Sequence, residues 1–161
     1  MNIVQLCQIL FVALIGLFAL LVAYNNVRDP QSNLRLVEHV MSMDSVFPDS
    51  RLKVRAIESP LLHRIAFWSI VATEGLTALL CLGGAAILAR AHGAGAAEFH
   101  AAKGVAFAGL GLGFALWFGG FMVIGGQWFA SWQSKQWGGR ESAFMFYSAI
   151  GIAFLALLHQ A

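Results

Sequence analysis

Apolar positions fall into four long runs, near Ile3–Tyr24, Leu62–Arg90, Ala101–Gly126 and Ser142–His159, and the charged and polar residues gather between them. A hydrocarbon core of about 30 Å takes roughly 20 apolar residues of helix to cross, so each run is about long enough to span. None of them alternates with the two-residue rhythm of a membrane strand. The pattern predicts an all-α, polytopic membrane protein, with four transmembrane helices in one bundle forming a single domain over residues 1–161. The first run follows no Lys or Arg, exceeds a signal h-region in length and is not followed by an A-x-A site, so it reads as a retained anchor.

The loop over residues 25–61 is too long for a simple connection. Ser32 or Asn33 can cap a helix reaching Met43, which puts Leu34, Val37, Val40 and Met41 on one face, as in an amphipathic helix lying at the membrane interface. Met43-Asp-Ser-Val-Phe-Pro48 then ends it as a fixed turn, because Asp44 can bond the backbone two residues on and Pro48 holds Phe47 extended.

Composition agrees with the runs: 59% apolar and 11% charged residues, with a mean hydropathy of +0.73, exclude a soluble domain. A net charge of +2, with acids and bases interleaved, gives no footprint for nucleic acid. Cys7 and Cys81 both fall inside runs and read as small apolar residues. Arg28, Arg35, Arg51, Lys53, Arg55, Arg64, Lys135 and Arg140 lie on the face of the first and third loops, against Arg90 and Lys103 on the other. The positive-inside rule then puts loops 25–61 and 127–141 in the cytoplasm and both termini outside.

Glu74 is the sole acidic residue within the four runs, twelve residues into the second, and Thr73 and Thr77 are its neighbours near the expected bilayer centre. Insertion of an acid there costs about 2.5–3.5 kcal/mol, so such residues face a bundle interior or a wet cavity and mark candidate function. The carboxyl would stay protonated and donate a hydrogen bond, carry protons during turnover, or simply fix helix packing. In the third run, Gly109 and Gly113 form a small-xxx-small pair that lets helices touch closely. They give helix contact, not chemistry.

The segment Gln127–Arg140 holds three of the five tryptophans. Trp128, Trp132 and Trp137 suit an aromatic belt at headgroup level. Alternatively Gln127, Trp128, Trp132 and Gln133, with Asp44 from the first loop, form a polar-aromatic site or interface. Trp128 and Trp132, four residues apart, could present one surface to a flat ring such as a quinone or to another subunit.

Other chemistries find no support. His39 and His63 lie on one face and His92, His100 and His159 on the other, so no pair of deep histidines is set to ligate a haem. His92, His100 and His159 with Glu98 lack a metal-ligand spacing, and no metal site is assigned. No CxxC motif, phosphate loop or Ser-His-Asp order suggests a nucleophile. The chain reads more readily as a non-enzyme.

Asn25-Asn26, Val37-Glu-His-Val-Met-Ser-Met-Asp44, Phe47-Pro48, Arg55-Ala-Ile57, Glu74, Gly125-Gly-Gln-Trp-Phe129 and Trp132-Gln-Ser134 together resemble a bacterial family of predicted small integral membrane proteins of unknown function. The resemblance covers nearly the whole chain. Where that family commonly has an acid after the Gly-Gly pair and an Asn after the last tryptophan, this chain has Gln127 and Gly138. The resemblance implies a four-span protein of the bacterial inner membrane and brings no assigned activity.

Three functional classes follow. The first expectation is a non-catalytic accessory or stabilising subunit of an inner-membrane complex, such as a respiratory one, whose partners are lipids and other membrane subunits. The alternatives are a small proton or ion transporter using Glu74, and a quinone- or lipid-binding membrane enzyme. A bound lipid or quinone would be the cofactor of that last class; the sequence itself names none.

Overall fold

The computed structural model describes residues 2–159. Its helices are α1 (Ile3–Arg28), α2 (Pro30–Ser42), α3 (Pro60–Ala91), α4 (Ala96–Ala101), α5 (Gly104–Phe114) and α6 (Arg140–Leu158). α5 continues directly into a π-helical segment, Ala115–Trp128, and short 3₁₀ turns occupy Arg51–Arg55 and Ser131–Gln133. Four helical stretches are long and apolar enough to cross a membrane: Ile3–Arg28, Pro60–Ala91, Ala96–Trp128 and Arg140–Leu158. The protein is an all-helical, multi-pass integral membrane protein.

Burial along α1 falls on Gln5, Gln8, Val12, Gly16, Ala19, Ala23 and Asn26. That is one narrow stripe with a repeat close to 3.5 residues, polar at its ends and small in its middle. α3 carries a matching stripe through His63, Phe67, Val71, Glu74, Ala78, Cys81, Ala85 and Leu88. The two pack antiparallel along these seams, and a Cβ on Gly16 would stand 2.9 Å from the Leu82 amide nitrogen.

α5 meets the other flank of α3 just as closely. A Cβ on Gly84 would lie 2.6 Å from the Ala106 nitrogen, and one on Gly109 would lie 2.7 Å from Cys81 Sγ. Gly113 faces the Thr77 methyl at 3.0 Å and Ile150 of α6 at 3.3 Å. Gly109 and Gly113 are therefore covered within the chain, by α3 and α6. α6 closes the bundle through aromatic contacts, with Phe154 on Phe107 (5.1 Å) and Tyr147 on Phe114 and Phe118 (5.9 and 5.1 Å).

Three features depart from the sequence pattern. α2 begins at Pro30, ahead of Ser32 and Asn33, because proline at the first helical position needs no hydrogen bond for its missing N–H and already has a helical φ. Ser32 instead bonds Asp29, and Asn33 bonds Asn26. The apolar face of α2 rests on protein: Leu34 and Val37 pack on Phe67 and Val71, and Val40 and Met41 on Met43, Val46, Phe129 and Ala130. Finally, the third run is not one α-helix, since it turns at Ala102–Lys103 and widens to π geometry after Phe114.

Gly84→Ala should lower the detergent-solubilised melting midpoint by the equivalent of about 1–3 kcal/mol, the usual cost of overpacking a fitted contact. Gly111, where an added Cβ meets nothing within 4 Å, provides the control. Gly111→Ala should leave the midpoint unchanged or raise it.

Candidate functional site

The first and third loops lock onto each other at one end of the bundle. Arg55 lays its guanidinium 4.6 Å from the Trp128 ring centroid and donates to the Trp128 carbonyl at 3.2 Å. Gln133 Oε1 accepts from the Phe47 amide at 3.0 Å, and Phe47 meets Trp132 edge-on at 6.2 Å. His39 stacks on Trp137 at 4.2 Å and pairs with Asp44 at 2.7 Å. Beneath these contacts Met43 and Ala130, both with positive φ (50° and 52°), are buried side by side in a small apolar cluster. Two left-handed non-glycine residues persist only where the surrounding packing holds them.

Asp44, Trp128, Trp132 and Gln133 thus lie on one side of the molecule, but they do not converge on a common point. Asp44 is engaged with His39, Trp128 with Arg55, and Trp132 and Gln133 with Phe47. Gln127 is exposed, and Trp128 remains 54% exposed despite its cation–π contact. Their arrangement serves to join two loops.

Glu74 belongs to a separate cluster. It is 2% exposed, and its Oε2 accepts a hydrogen bond from Asn26 Nδ2 at 2.8 Å; Asn26 Oδ1 in turn accepts from Asn33 Nδ2 of α2. Asn26 is the third residue from the end of α1, so Glu74 sits toward the loop end of the bundle and not at its midpoint, where α3 meets Gly16 at Leu82. Glu74 lies opposite the end of α1 because α3 has 32 residues and α1 has 26, and α3 runs on past that end. Thr73 bonds back to the Ser69 carbonyl, while Thr77 Oγ1 is buried without a partner among the described residues.

The Glu74 cluster opens on a cavity of about 340 Å³ walled by Phe67, Ile70, Trp117, Phe121, Phe146 and the apolar side of α2. A second cavity of about 260 Å³ adjoins it under α2, lined by Val40, Met41, Ala66, Ile124, Gly125 and Phe129. The two share Leu36, Val37, Ile70, Phe121 and Gly139 as wall residues. A surface groove formed by Asn25, Asn26, Arg28, Asp29, Ser32 and Asn33 meets the first cavity at its asparagines. Neither Asp44, Gln127, Trp128, Trp132 nor Gln133 lines the cavities; the polar groups that do were legible only in part, as the pair Asn25-Asn26 and the isolated Glu74.

A family model described as "Predicted small integral membrane protein (DUF2165)" matches residues 4–160, almost the full length of the four-helix architecture. The chain belongs to this family. No curated protein and no solved structure matches it.

The opposite end of this DUF2165 protein holds a second polar cluster that the sequence pattern did not reveal. Lys103 is 1% exposed, and its ammonium donates to the carbonyls of Leu157 and His159, both at 2.8 Å. Gln8 Nε2 donates to Ala156 and His159 carbonyls at 2.7 and 3.0 Å, and Gln5 contacts His92 at 3.1 Å. The last carbonyls of a helix have no partner within it and carry the negative end of its dipole, so a buried cation and an amide here close α6 where water is scarce. A signal was present: Lys103 lies inside an apolar run, and a cation there needs acceptors.

Lys103→Met should destabilise the purified protein by about 1–3 kcal/mol, since it strips buried carbonyls of their donor. Because Lys103 and Gln8 share the His159 carbonyl, Lys103→Met and Gln8→Leu should be non-additive. Thermal unfolding of the two single variants and the double variant should return a coupling of about 0.5–3 kcal/mol.

Proposed function

We propose that this protein binds a lipophilic small molecule within the membrane, in the chamber between α2, α3, the π-helical segment and α6. The observation that carries the reading is a buried carboxylate with two asparagines, Glu74–Asn26–Asn33, at the polar end of an otherwise apolar and aromatic chamber. A pocket of a few hundred Å³ with apolar walls and a few convergent polar groups has the form of a small-molecule site. We further propose that the protein acts without catalysis of its own, as an accessory lipid- or quinone-holding component of the bacterial inner membrane.

Two other readings have less behind them. The glycines that would have offered a seam to another subunit are covered by α3 and α6. A proton path through the single chain meets a tight core on the far side of Thr77, where Cys81, Leu88, Leu110 and Ile150 are fully buried.

Purification in mild detergent followed by lipid extraction and mass spectrometry should recover a near-stoichiometric lipophile from the wild-type protein. Ser142→Phe, which projects bulk into the chamber, should lose it while keeping its melting transition. Equal recovery from both proteins would sink the chamber as the site. For orientation, the basic residues on the loop face support a cytoplasmic position for residues 25–61 and 127–141. Reporter fusions at the C-terminus should then read as periplasmic: active alkaline phosphatase and dark green fluorescent protein.

A further inference from the structure

We infer that the occupant is a single-chain amphiphile whose headgroup donates a hydrogen bond to Glu74 while its chain runs beneath α2; the inference rests on the chamber being a lipophile site. Its chemistry follows from what the walls contain and lack. Among the described residues, neither cavity has a Lys, Arg or His in its lining, so nothing there would neutralise a phosphate, sulfate or carboxylate. A buried anion without a partner is strongly disfavoured.

What the polar end offers is a buried carboxyl among neutral amides, with no cation beside it among the described residues. Asn26 directs one amide N–H to Glu74 Oε2, and Asn33 directs one of its own to Asn26 Oδ1, so a line of hydrogen bonds runs inward from α2 to the Glu74 carboxyl. The bond from Asn26 is made at Glu74 Oε2. A hydroxyl or ammonium headgroup supplies a donor to the Glu74 carboxyl, in a cavity also lined by the aromatic residues Phe67, Trp117 and Phe146. The second cavity has no charged lining residue and continues from the first along Leu36, Val37, Ile70 and Phe121 toward Ala66 and Met41, so one chain can follow both.

The test uses the full-length protein in phosphatidylcholine nanodiscs, titrated with 1-hexadecanol, hexadecylamine, hexadecyl sulfate and phosphatidylglycerol and read by native mass spectrometry. The alcohol and the amine should bind at least tenfold more tightly than the sulfate or phosphatidylglycerol. Glu74→Gln keeps an acceptor and loses the charge, so it should weaken the amine tenfold and leave the alcohol within threefold. Ala66→Phe, in the second cavity and away from the acid, should reverse the preference for hexadecanol over decanol without altering the headgroup order. Tight sulfate binding, an amine indifferent to Glu74→Gln, or an unchanged chain-length preference in Ala66→Phe would each overturn the inference and leave the lipophile site standing. No binding of any probe would remove both.

Discussion

α3 is gripped on two sides by backbones that come closer than side chains ordinarily permit, by α1 at Gly16 and by α5 at Gly109, Gly113 and, against Gly84 of α3 itself, Ala106. In a bilayer, lipid tails compete with apolar side chains on equal terms, so helices gain by close van der Waals packing more than by exclusion from water. Once α1 and α5 are fixed against α3 at the level of Gly16, Cys81 and Gly109, the rest of the architecture has little freedom. α3 overruns α1 toward the loops, and the exposed length is covered by α2. The chamber occupies the space between this covering and the tight core.

Polar chemistry is confined to the two ends of that core and differs between them. At one end Lys103 and Gln8 meet carbonyl oxygens and leave a fully buried cation satisfied. At the other, Glu74 receives one donor from Asn26 and borders open volume. The first arrangement closes a helix; the second borders a chamber. Both clusters are built from residues far apart in sequence, and for both the register of α1 against its neighbours decides which side chains meet.

The helices and their crossing of the membrane were readable in the chain because apolar runs of that length have few other outcomes. Glu74 stood out because it is the one acid in the runs, and the glycine pair because its spacing repeats on one face. Its partners did not stand out. Asn26 lies at the end of an apolar run where a polar residue is unremarkable, and Asn33 looked like a helix cap until Pro30 moved the helix start. Lys103 falls inside the third run and counts in the sequence only toward the charge of one face, since a break at Ala102 is invisible in a run of helix-compatible residues. The tryptophans of the third loop were conspicuous, yet the contacts they make are to Arg55, Phe47 and His39, pairings that only tertiary structure defines.

The π-helical segment gives the two loops and the chamber a common mechanical origin. With bonds from each amide to the fifth carbonyl before it, as in Phe129 to Ile124, the helix takes up more residues per turn than an α-helix. Each return of a turn to α geometry would rotate all that follows by roughly 100° per displaced residue. Phe121, Ile124 and Gly125 line the chamber within this segment, and Trp128, Trp132 and Gln133, which grip the first loop, follow at its end. Winding and unwinding of a single turn would therefore change the shape of the chamber and the hold between the loops together, in the manner of a screw whose pitch sets both the gap and the clamp.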